Sequence, residues 1–135
     1  MKELTVSATI DNMSKVLSFL DKELDELNCS ADFKTKINIA VDEVFSNIVN
    51  YAYELGNGKV NVKIDTSSDL KGVKIIFIDN GKPYNPLERE DPDINQPLES
   101  RSVGGLGILI VKKSMDDVTY EYKDSKNILT LIKKF

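Results

Sequence analysis

The hydrophobic positions in the first third of the chain predict one strand followed by two amphipathic helices. Over residues 3–10 apolar side chains recur at every second position, the pattern of a strand with one buried face. From Asp11 or Asn12, either of which can cap a helix, the apolar spacing becomes helical and continues to about residue 29. A second helical stripe runs from residue 31 to about 55, and a Gly-Asn-Gly sequence at 56–58 ends it.

The rest of the chain predicts two hairpins separated by a loop and a short helix. Residues 60–64 alternate, a polar turn follows at 67–69, and 73–78 is an apolar run typical of a buried strand. Residues 82–103 show no period, and a loop of that length in a compact domain usually serves a function. A helix then runs from residue 106 or 107 to 115, and residues 118–122 and 128–132 form the last two strands.

This order of elements predicts a single domain, residues 1–135, with an α/β (α+β) two-layer sandwich fold. Strands joined by short turns pair antiparallel, so we expect a mostly antiparallel, mixed sheet covered on one face by three helices. A doubly wound Rossmann fold is disfavoured, because it needs alternating strands and helices and a glycine motif after the first strand. Here the glycine-rich segment comes late, between the long loop and a helix.

Composition removes several classes of function. Cys29 is the only cysteine and there is no histidine, which excludes an internal disulfide, His- or Cys-ligated zinc and a His-based catalytic triad. The formal charge of −4 argues against direct contact with nucleic acid, which depends on clustered Lys and Arg. The longest nearly apolar run, 73–78, is too short for a bilayer, and the first residues lack an export signal. We therefore expect a cytoplasmic protein that does not associate with membranes.

The second predicted helix carries a row of polar residues that suits phosphoryl chemistry. Glu43, Asn47 and Asn50 are spaced i, i+4 and i+7, which places them on one side of an α-helix. A carboxylate can take a proton from a hydroxyl, and an amide oxygen can ligate Mg²⁺ without adding charge. A polar helix face that is merely hydrated has the same spacing, so the row by itself does not establish a site.

A second motif follows the buried strand. Asp79 stands at its end and Gly81 lies two residues further on, so the carboxylate could accept a hydrogen bond from an amino-purine while the glycine lets backbone approach the ring. Asp-Asn-Gly is also among the commonest turn sequences, and an ordinary strand end remains an alternative.

The third motif is Gly104-Gly105-Leu106-Gly107, directly before an apolar helix. Backbone amides at such a helix N-terminus can point at phosphate. It is not a Walker A loop, because no Gly-Lys-Ser/Thr ends it, and a flexible connection into a buried helix is the alternative. Arg101 and Ser102, just upstream, could close on a terminal phosphate, although Arg101 also fits an ordinary exposed arginine.

The three motifs, in this order and on these elements, resemble the GHKL ATPase superfamily of gyrase, heat-shock chaperone, histidine-kinase and mismatch-repair ATPases. Residues 39–53, 79–86 and 101–117 are similar to the bacterial anti-sigma-factor serine/threonine protein kinases. The resemblance implies a Bergerat-type ATP-binding fold with an ATP lid at about 82–103, and ATP and Mg²⁺ as cofactors. It also implies a homodimer that sequesters a sigma factor and phosphorylates a serine on an anti-anti-sigma protein.

Transferred residue by residue, the resemblance makes Glu43 the general base and Asn47 the magnesium ligand. Asp79 would contact the adenine amino group and Gly81 would flank the base. The other nucleotide-binding residues that it implies are Asn50, Arg101, Ser102, Gly104, Gly105, Leu106, Gly107 and Thr130. The chain departs from the family pattern at Tyr51, where many relatives have a histidine, and at Lys126-Asn127, where a Gly-Thr pair leads into the last strand. Thr130 is the threonine that remains nearby.

Two rival functions stay open at the level of sequence. An ATP-dependent binding module could switch partners without efficient phosphoryl transfer. The catalytic domain of a histidine kinase would share the same motifs, but these residues contain no dimerisation helix pair and no substrate histidine. A phosphoserine on the partner protein would distinguish the kinase from the binding module.

Overall fold

The structure, a computed structural model, describes residues 1–52, 58–88 and 105–135, and of residues 51, 52, 105 and 106 the backbone alone. Two helices follow the first strand, and a third precedes the last hairpin, as the apolar periodicity predicts. The elements are β1 (Lys2–Ser7), α1 (Met13–Glu26), α2 (Ala31–Asn47), β2 (Lys59–Asp65), β3 (Gly72–Asp79), α3 (Gly105–Ser114), β4 (Asp117–Lys123) and β5 (Lys126–Lys134).

The five strands form one sheet in the order β1-β2-β3-β5-β4. Every neighbouring pair among them is antiparallel, so the sheet has no parallel pair within the described ranges. Together with the helices this sheet confirms the expected two-layer α/β fold. The register sets Val60 opposite Asp79 and Asp79 opposite Asn127. Residues from three strands therefore meet at one end of the sheet, next to the loop that follows β3.

The core lies between the helices and one face of the sheet. Alternate strand residues point into it, and the helices contribute the apolar stripes that the sequence predicts. Burial of a Val, Leu, Ile or Phe side chain stabilises the fold by about 1.5–3 kcal/mol each, so this single layer of contacts dominates stability. The largest fully buried side chains include Leu20, Leu24, Ile37, Phe45, Ile64, Ile75, Phe77, Ile108 and Leu131.

The boundaries of β1 and α2 differ from the sequence prediction. β1 ends at Ser7, because residues Ile10–Asn12 form a 3₁₀ turn that leads into α1. Regular α-helix in α2 begins after the cap Ser30, whose Oγ accepts a hydrogen bond from Phe33 N at 3.1 Å, and ends at Asn47. A π-helical turn, Ile48–Ala52, continues it, and the predicted end near residue 55 lies outside the described residues.

Candidate active site

A cavity lies between the end of α2 and the end of the sheet. One wall is the last turn of α2 and the π-helical turn after it, and the other is the β3, β4 and β5 end of the sheet with the loop after β3. Its lining residues are Val44, Asn47, Ile48, Asp79, Tyr84, Pro86, Tyr120, Asn127 and Leu129. Mainly apolar walls with a few polar groups at fixed positions are typical of a small-molecule site.

Asp79 is the buried carboxylate of this cavity, with only 4% of its surface exposed. Its Oδ1 accepts hydrogen bonds from Gly81 N at 2.9 Å and from Asn127 Nδ2 at 2.8 Å. Burial raises the pKa of Asp79 above its usual value of 3.8, and the two hydrogen bonds oppose that rise. Both of these bonds go to Oδ1, and a carboxylate has a second oxygen that can accept a hydrogen bond of its own.

Asn127 connects Asp79 to the loop after β3 and to β4. Besides Asp79, its Nδ2 donates to Lys82 O at 2.9 Å and more weakly to Gly81 O at 3.4 Å. Its Oδ1 accepts from Tyr84 N at 3.2 Å and from the Tyr120 hydroxyl. Both hydrogens and the oxygen of this side-chain amide are therefore engaged within the protein. Such a fully satisfied buried network orders its members.

The Tyr120 hydroxyl remains a donor over the pH range in which proteins function. Burial raises the pKa of Tyr120, so the hydroxyl stays protonated and donates to Asn127 Oδ1. Its ring lines the cavity beside Leu129, which lies opposite it on β5. Tyr120 thus supplies both a wall of the cavity and a support for Asn127.

Glu43 and Gly107 meet where α2 packs on α3. A Cβ atom on residue 107 would overlap the Oε2 atom of Glu43, so the carboxylate occupies the space that a side chain would take. Glu43 is half-buried there, beside the first turn of α3. The glycine therefore has a specific packing role, since it lets a carboxylate approach the end of the helix where backbone N–H groups are free to bind anions.

Asn47 and Asn50 do not share a row as the sequence predicts. Asn47 is the last residue of α2 and lines the cavity together with Asp79. Asn50 is exposed on the π-helical turn and is not among the residues that line the cavity. A π turn holds more residues than an α turn, so it rotates Asn50 out of the direction that i+7 spacing gives in a regular helix. The continuous row of three polar residues is thus limited to Glu43 and Asn47.

Thr130 lies on the wrong face of the sheet for the role expected of it. Asn127, Leu129 and Leu131 of β5 are buried toward the helices, and successive strand residues alternate in direction. Thr130 therefore points to the opposite face, where Thr119 is its cross-strand neighbour. The structure corrects the sequence assignment: Asn127, not Thr130, lines the cavity from β5.

Several other predicted residues can be placed only in part. Gly81 is buried beside Asp79, and Gly107 contacts Glu43. Gly105 and Leu106 form the start of α3, described for their backbone alone. Arg101, Ser102, Gly104 and lid residues 89–103 lie outside the described residues, so their predicted roles stay predictions.

The described residues limit the kinds of site that are present. Within them, no three or more His, Cys, Asp or Glu side chains converge on a point that could hold a metal ion. None of the helices in the described ranges has the length and apolar character needed to cross a membrane. The polar side chains that line the cavity include Asn47 and Asp79, and Glu43 lies one helical turn before Asn47. This donor set suits a polar organic ligand and a cation bound mainly by oxygens that the ligand supplies.

Comparisons with known proteins agree with this geometry. Residues 6–133 match the family described as histidine kinase-like ATPase domain. The chain is 26% identical to the serine/threonine-protein kinase BtrW of Bordetella bronchiseptica over 129 residues, which cover 96% of this chain and 89% of that protein. It is 30% identical to the serine-protein kinase RsbW of Bacillus cereus over 97 residues, covering 69% of this chain and 59% of that protein.

Solved structures show the same fold. The RsbU and RsbW domains of a Mycobacterium tuberculosis protein superpose with a TM-score of 0.68 at 17% identity, covering 99% of this chain and 32% of that one. The catalytic domain of the histidine kinase ThkA superposes with a TM-score of 0.55 at 16% identity, covering 99% of this chain and 96% of that one. Because the family match covers nearly all of the sequence that forms the sheet, the helices and the cavity, this chain belongs to the histidine kinase-like ATPase domain family.

Proposed function

We propose that this protein is an ATP-dependent serine/threonine protein kinase that acts as an anti-sigma regulator. The proposal rests on one arrangement: Glu43 lies against Gly107 at the start of α3, and Asn47, one turn along α2, faces the cavity of Asp79. The proposed base, Glu43, thus lies beside the N-terminus of α3. The proposed cation ligand, Asn47, lies between that base and the proposed purine contact, Asp79. Similarity to proteins named serine-protein kinase supports serine as the phosphoryl acceptor.

In the proposed reaction the adenine of ATP occupies the Asp79 cavity and the phosphates extend toward α3. Glu43 accepts the proton of the partner's serine hydroxyl while that oxygen forms a bond to the γ-phosphorus. The bond from the γ-phosphorus to the bridging oxygen breaks, and its electron pair leaves with ADP. Phosphoryl transfer depends chiefly on positioning and charge stabilisation, which backbone N–H groups and a general base can supply.

The residues on α2 fit a magnesium ion that is held mainly by nucleotide phosphates. Mg²⁺ is commonly bound through one or two protein oxygens together with substrate oxygens and water, and the amide oxygen of Asn47 offers such a ligand at the edge of the cavity. When bound, the ion would neutralise charge on the transferring phosphoryl group. Arg101 stays the sequence's candidate for the terminal phosphate.

The regulatory part of the proposal follows the family resemblance of the sequence. The kinase would bind a sigma factor in one nucleotide state and phosphorylate an anti-anti-sigma protein as its substrate, so that the two partners compete. A cytoplasmic location belongs to the same proposal, because transcription is the process that is regulated. Homodimerisation is part of it as well, since the family resemblance implies it. Sedimentation of the purified chain tests the dimer directly.

The test combines the chain with sigma and anti-anti-sigma proteins encoded in the same genome, in the presence of Mg-ATP or Mg-ADP. Mass spectrometry of the anti-anti-sigma protein should find a phosphoserine only with ATP. Glu43→Gln should lower its rate of formation by about 10²–10⁴-fold, the usual contribution of a general base. Glu26→Gln, at the exposed end of α1, is the matched control. An unchanged rate in Glu43→Gln would contradict the assigned base, and ATP-dependent complexes without phosphoserine would favour the binding module.

A further inference from the structure

We propose that Asn127 is the positioning residue that fixes the Asp79 carboxylate for an amino group at purine position 6, and thereby sets the preference for adenine over 6-oxopurines. The inference rests on the nucleotide-binding function proposed above and names a residue that determines its base specificity. It concerns a position where the sequence departs from the Gly-Thr pair of similar proteins.

The contacts of Asn127 identify it as a support and not as a ligand of the base. It is 95% buried, with 5% of its surface exposed, and it stands opposite Asp79 in the β3–β5 register. Its Nδ2 donates to Asp79 Oδ1 and Lys82 O, while its Oδ1 accepts from Tyr84 N and the Tyr120 hydroxyl. An amide whose donors and acceptor are all engaged by protein has little capacity left for a base.

These contacts fix the direction of the carboxylate. Asn127 Nδ2 and Gly81 N approach the same oxygen of Asp79, at 2.8 Å and 2.9 Å, so they pin Oδ1 from two sides. Oδ2 is thereby held as the acceptor available to a ligand in the cavity. A threonine at position 127 has one hydroxyl, with one hydrogen to donate, and could not bridge Asp79, Lys82 and Tyr120 together.

The hydrogen-bonding character of Asp79 decides which purine fits. An ionised carboxylate accepts a hydrogen bond from the 6-amino group of adenine, whereas it repels the 6-oxo group of hypoxanthine or guanine. A protonated carboxyl can donate to that oxo group. The donated hydrogen bond from Asn127 favours the ionised form, because hydrogen bonding to a carboxylate stabilises its charge.

The variant Asn127→Asp reverses this relationship with almost no change in shape. It replaces the donor beside Asp79 by a second acidic group, and two carboxyl groups at hydrogen-bond distance hold one proton between them. Asp79 would then be protonated over more of the pH range, and the form with its proton on Oδ2 is a donor to the ligand. We expect binding of ATP to weaken, binding of inosine triphosphate to strengthen relative to ATP, and the pH below which ATP affinity falls to move upward.

Calorimetric titration of the purified chain with Mg-ATP and Mg-ITP, across a pH series, measures these effects. We expect the wild-type protein to bind ATP at least about tenfold more tightly than ITP, and Asn127→Asp to lower that ratio at least about fivefold, since rejection of a wrong hydrogen-bonding partner is what a fixed polar group provides. Thr119→Ser, on the outer face of β4, is the control and should keep both the ratio and the pH profile.

The outcomes separate this inference from the proposed function. Weaker binding of both nucleotides by Asn127→Asp, with an unchanged ratio and pH profile, would mean that Asn127 is merely structural and would overturn the inference. Equal binding of ATP and ITP by the wild-type protein would also overturn it while leaving a nucleotide site in place. If the wild-type protein bound neither nucleotide, the proposed function itself would fail. If circular dichroism showed Asn127→Asp to be unfolded, Asn127→Ala, which removes the donor without adding charge, would decide by the same ratio and pH profile.

Discussion

The carboxylate of Glu43 lies directly against Gly107, in the space that any side chain at position 107 would fill. This contact joins two motifs that are more than sixty residues apart in sequence, the polar face of α2 and the glycine-rich segment before α3. It sets the proposed general base beside the helix end that would face the phosphates. The distance between base and phosphate site is therefore controlled by the absence of a side chain at one position.

Gly107→Ala should reduce phosphoryl transfer without unfolding the protein. The added Cβ overlaps the flexible end of Glu43, so the carboxylate moves while the backbone stays, and alanine is about 1 kcal/mol more favourable than glycine within a helix. We expect at least about a tenfold loss of phosphorylation rate, since misplacement of a general base forfeits part of its contribution.

A kinetic assay that follows phosphorylation of the unphosphorylated anti-anti-sigma partner, together with a thermal unfolding curve, would measure both effects of Gly107→Ala. Lys113→Ala, at an exposed position of the same helix, is the control for a change in α3 that leaves Glu43 in place. A wild-type rate in Gly107→Ala would contradict a catalytic role for the Glu43 carboxylate in its observed position.

Asn47→Ala should affect nucleotide binding through magnesium. The amide lines the cavity one turn beyond Glu43, and its loss removes a neutral oxygen ligand from the proposed cation site. We expect the gain in ATP affinity on addition of Mg²⁺ to shrink several-fold, while affinity in the presence of EDTA changes little. Titration of ATP with and without Mg²⁺ measures the difference, with Thr35→Ala on the exposed face of α2 as control. If Mg²⁺ raised the affinity for ATP equally in the wild-type protein and in Asn47→Ala, the Asn47 amide would be excluded as a magnesium ligand.

Acid should weaken ATP binding at a higher pH than an ordinary aspartate would predict. Burial raises the pKa of Asp79 above 3.8, and adenine needs the ionised carboxylate as an acceptor. Affinity should therefore be full at neutral pH and fall as the pH drops through this raised pKa.

The stability of the fold should have the opposite dependence on pH. The folded state binds the Asp79 proton more tightly than the unfolded state, so this group's contribution to the free energy of unfolding is greatest at low pH and is lost as the pH rises through the raised pKa. The affinity for ATP and the free energy of unfolding, each measured over the same pH series, should change in opposite directions. The Asp79→Asn variant should show neither of these changes.

Much of the fold was predictable because burial imposes a period on the sequence. Alternation marks β1, β2 and β4, and the apolar stripes mark the helices that cover one face of the sheet. The i, i+4 spacing of Glu43 and Asn47 correctly indicated neighbours on one helix. Asn50 was misplaced because nothing in the residue pattern signals the π-helical turn that begins at Ile48.

The role of Asn127 required the strand register. Asp79 and Asn127 are 48 positions apart, and alternation shows which residues of a strand face inward but not which residue lies opposite which. The misassignment of Thr130 was avoidable, however. Leu129 and Leu131 mark the inward face of β5, and Thr130 lies between them while Asn127 shares their direction. The alternation of inward-facing and outward-facing residues along β5 could therefore have identified Asn127.

The central claim is that the Asp79 cavity binds the adenine of ATP, and calorimetric titration of wild type and Asp79→Asn with Mg-ATP at neutral pH tests it most directly. The substitution keeps an Oδ1 acceptor for Gly81 N and Asn127 Nδ2 but removes the charge and replaces the ligand-facing acceptor by a donor. The account predicts one ATP bound per wild-type chain, and a folded Asp79→Asn variant whose affinity is lower by at least about tenfold. Undiminished affinity in folded Asp79→Asn, or no binding by the wild-type protein, would contradict it.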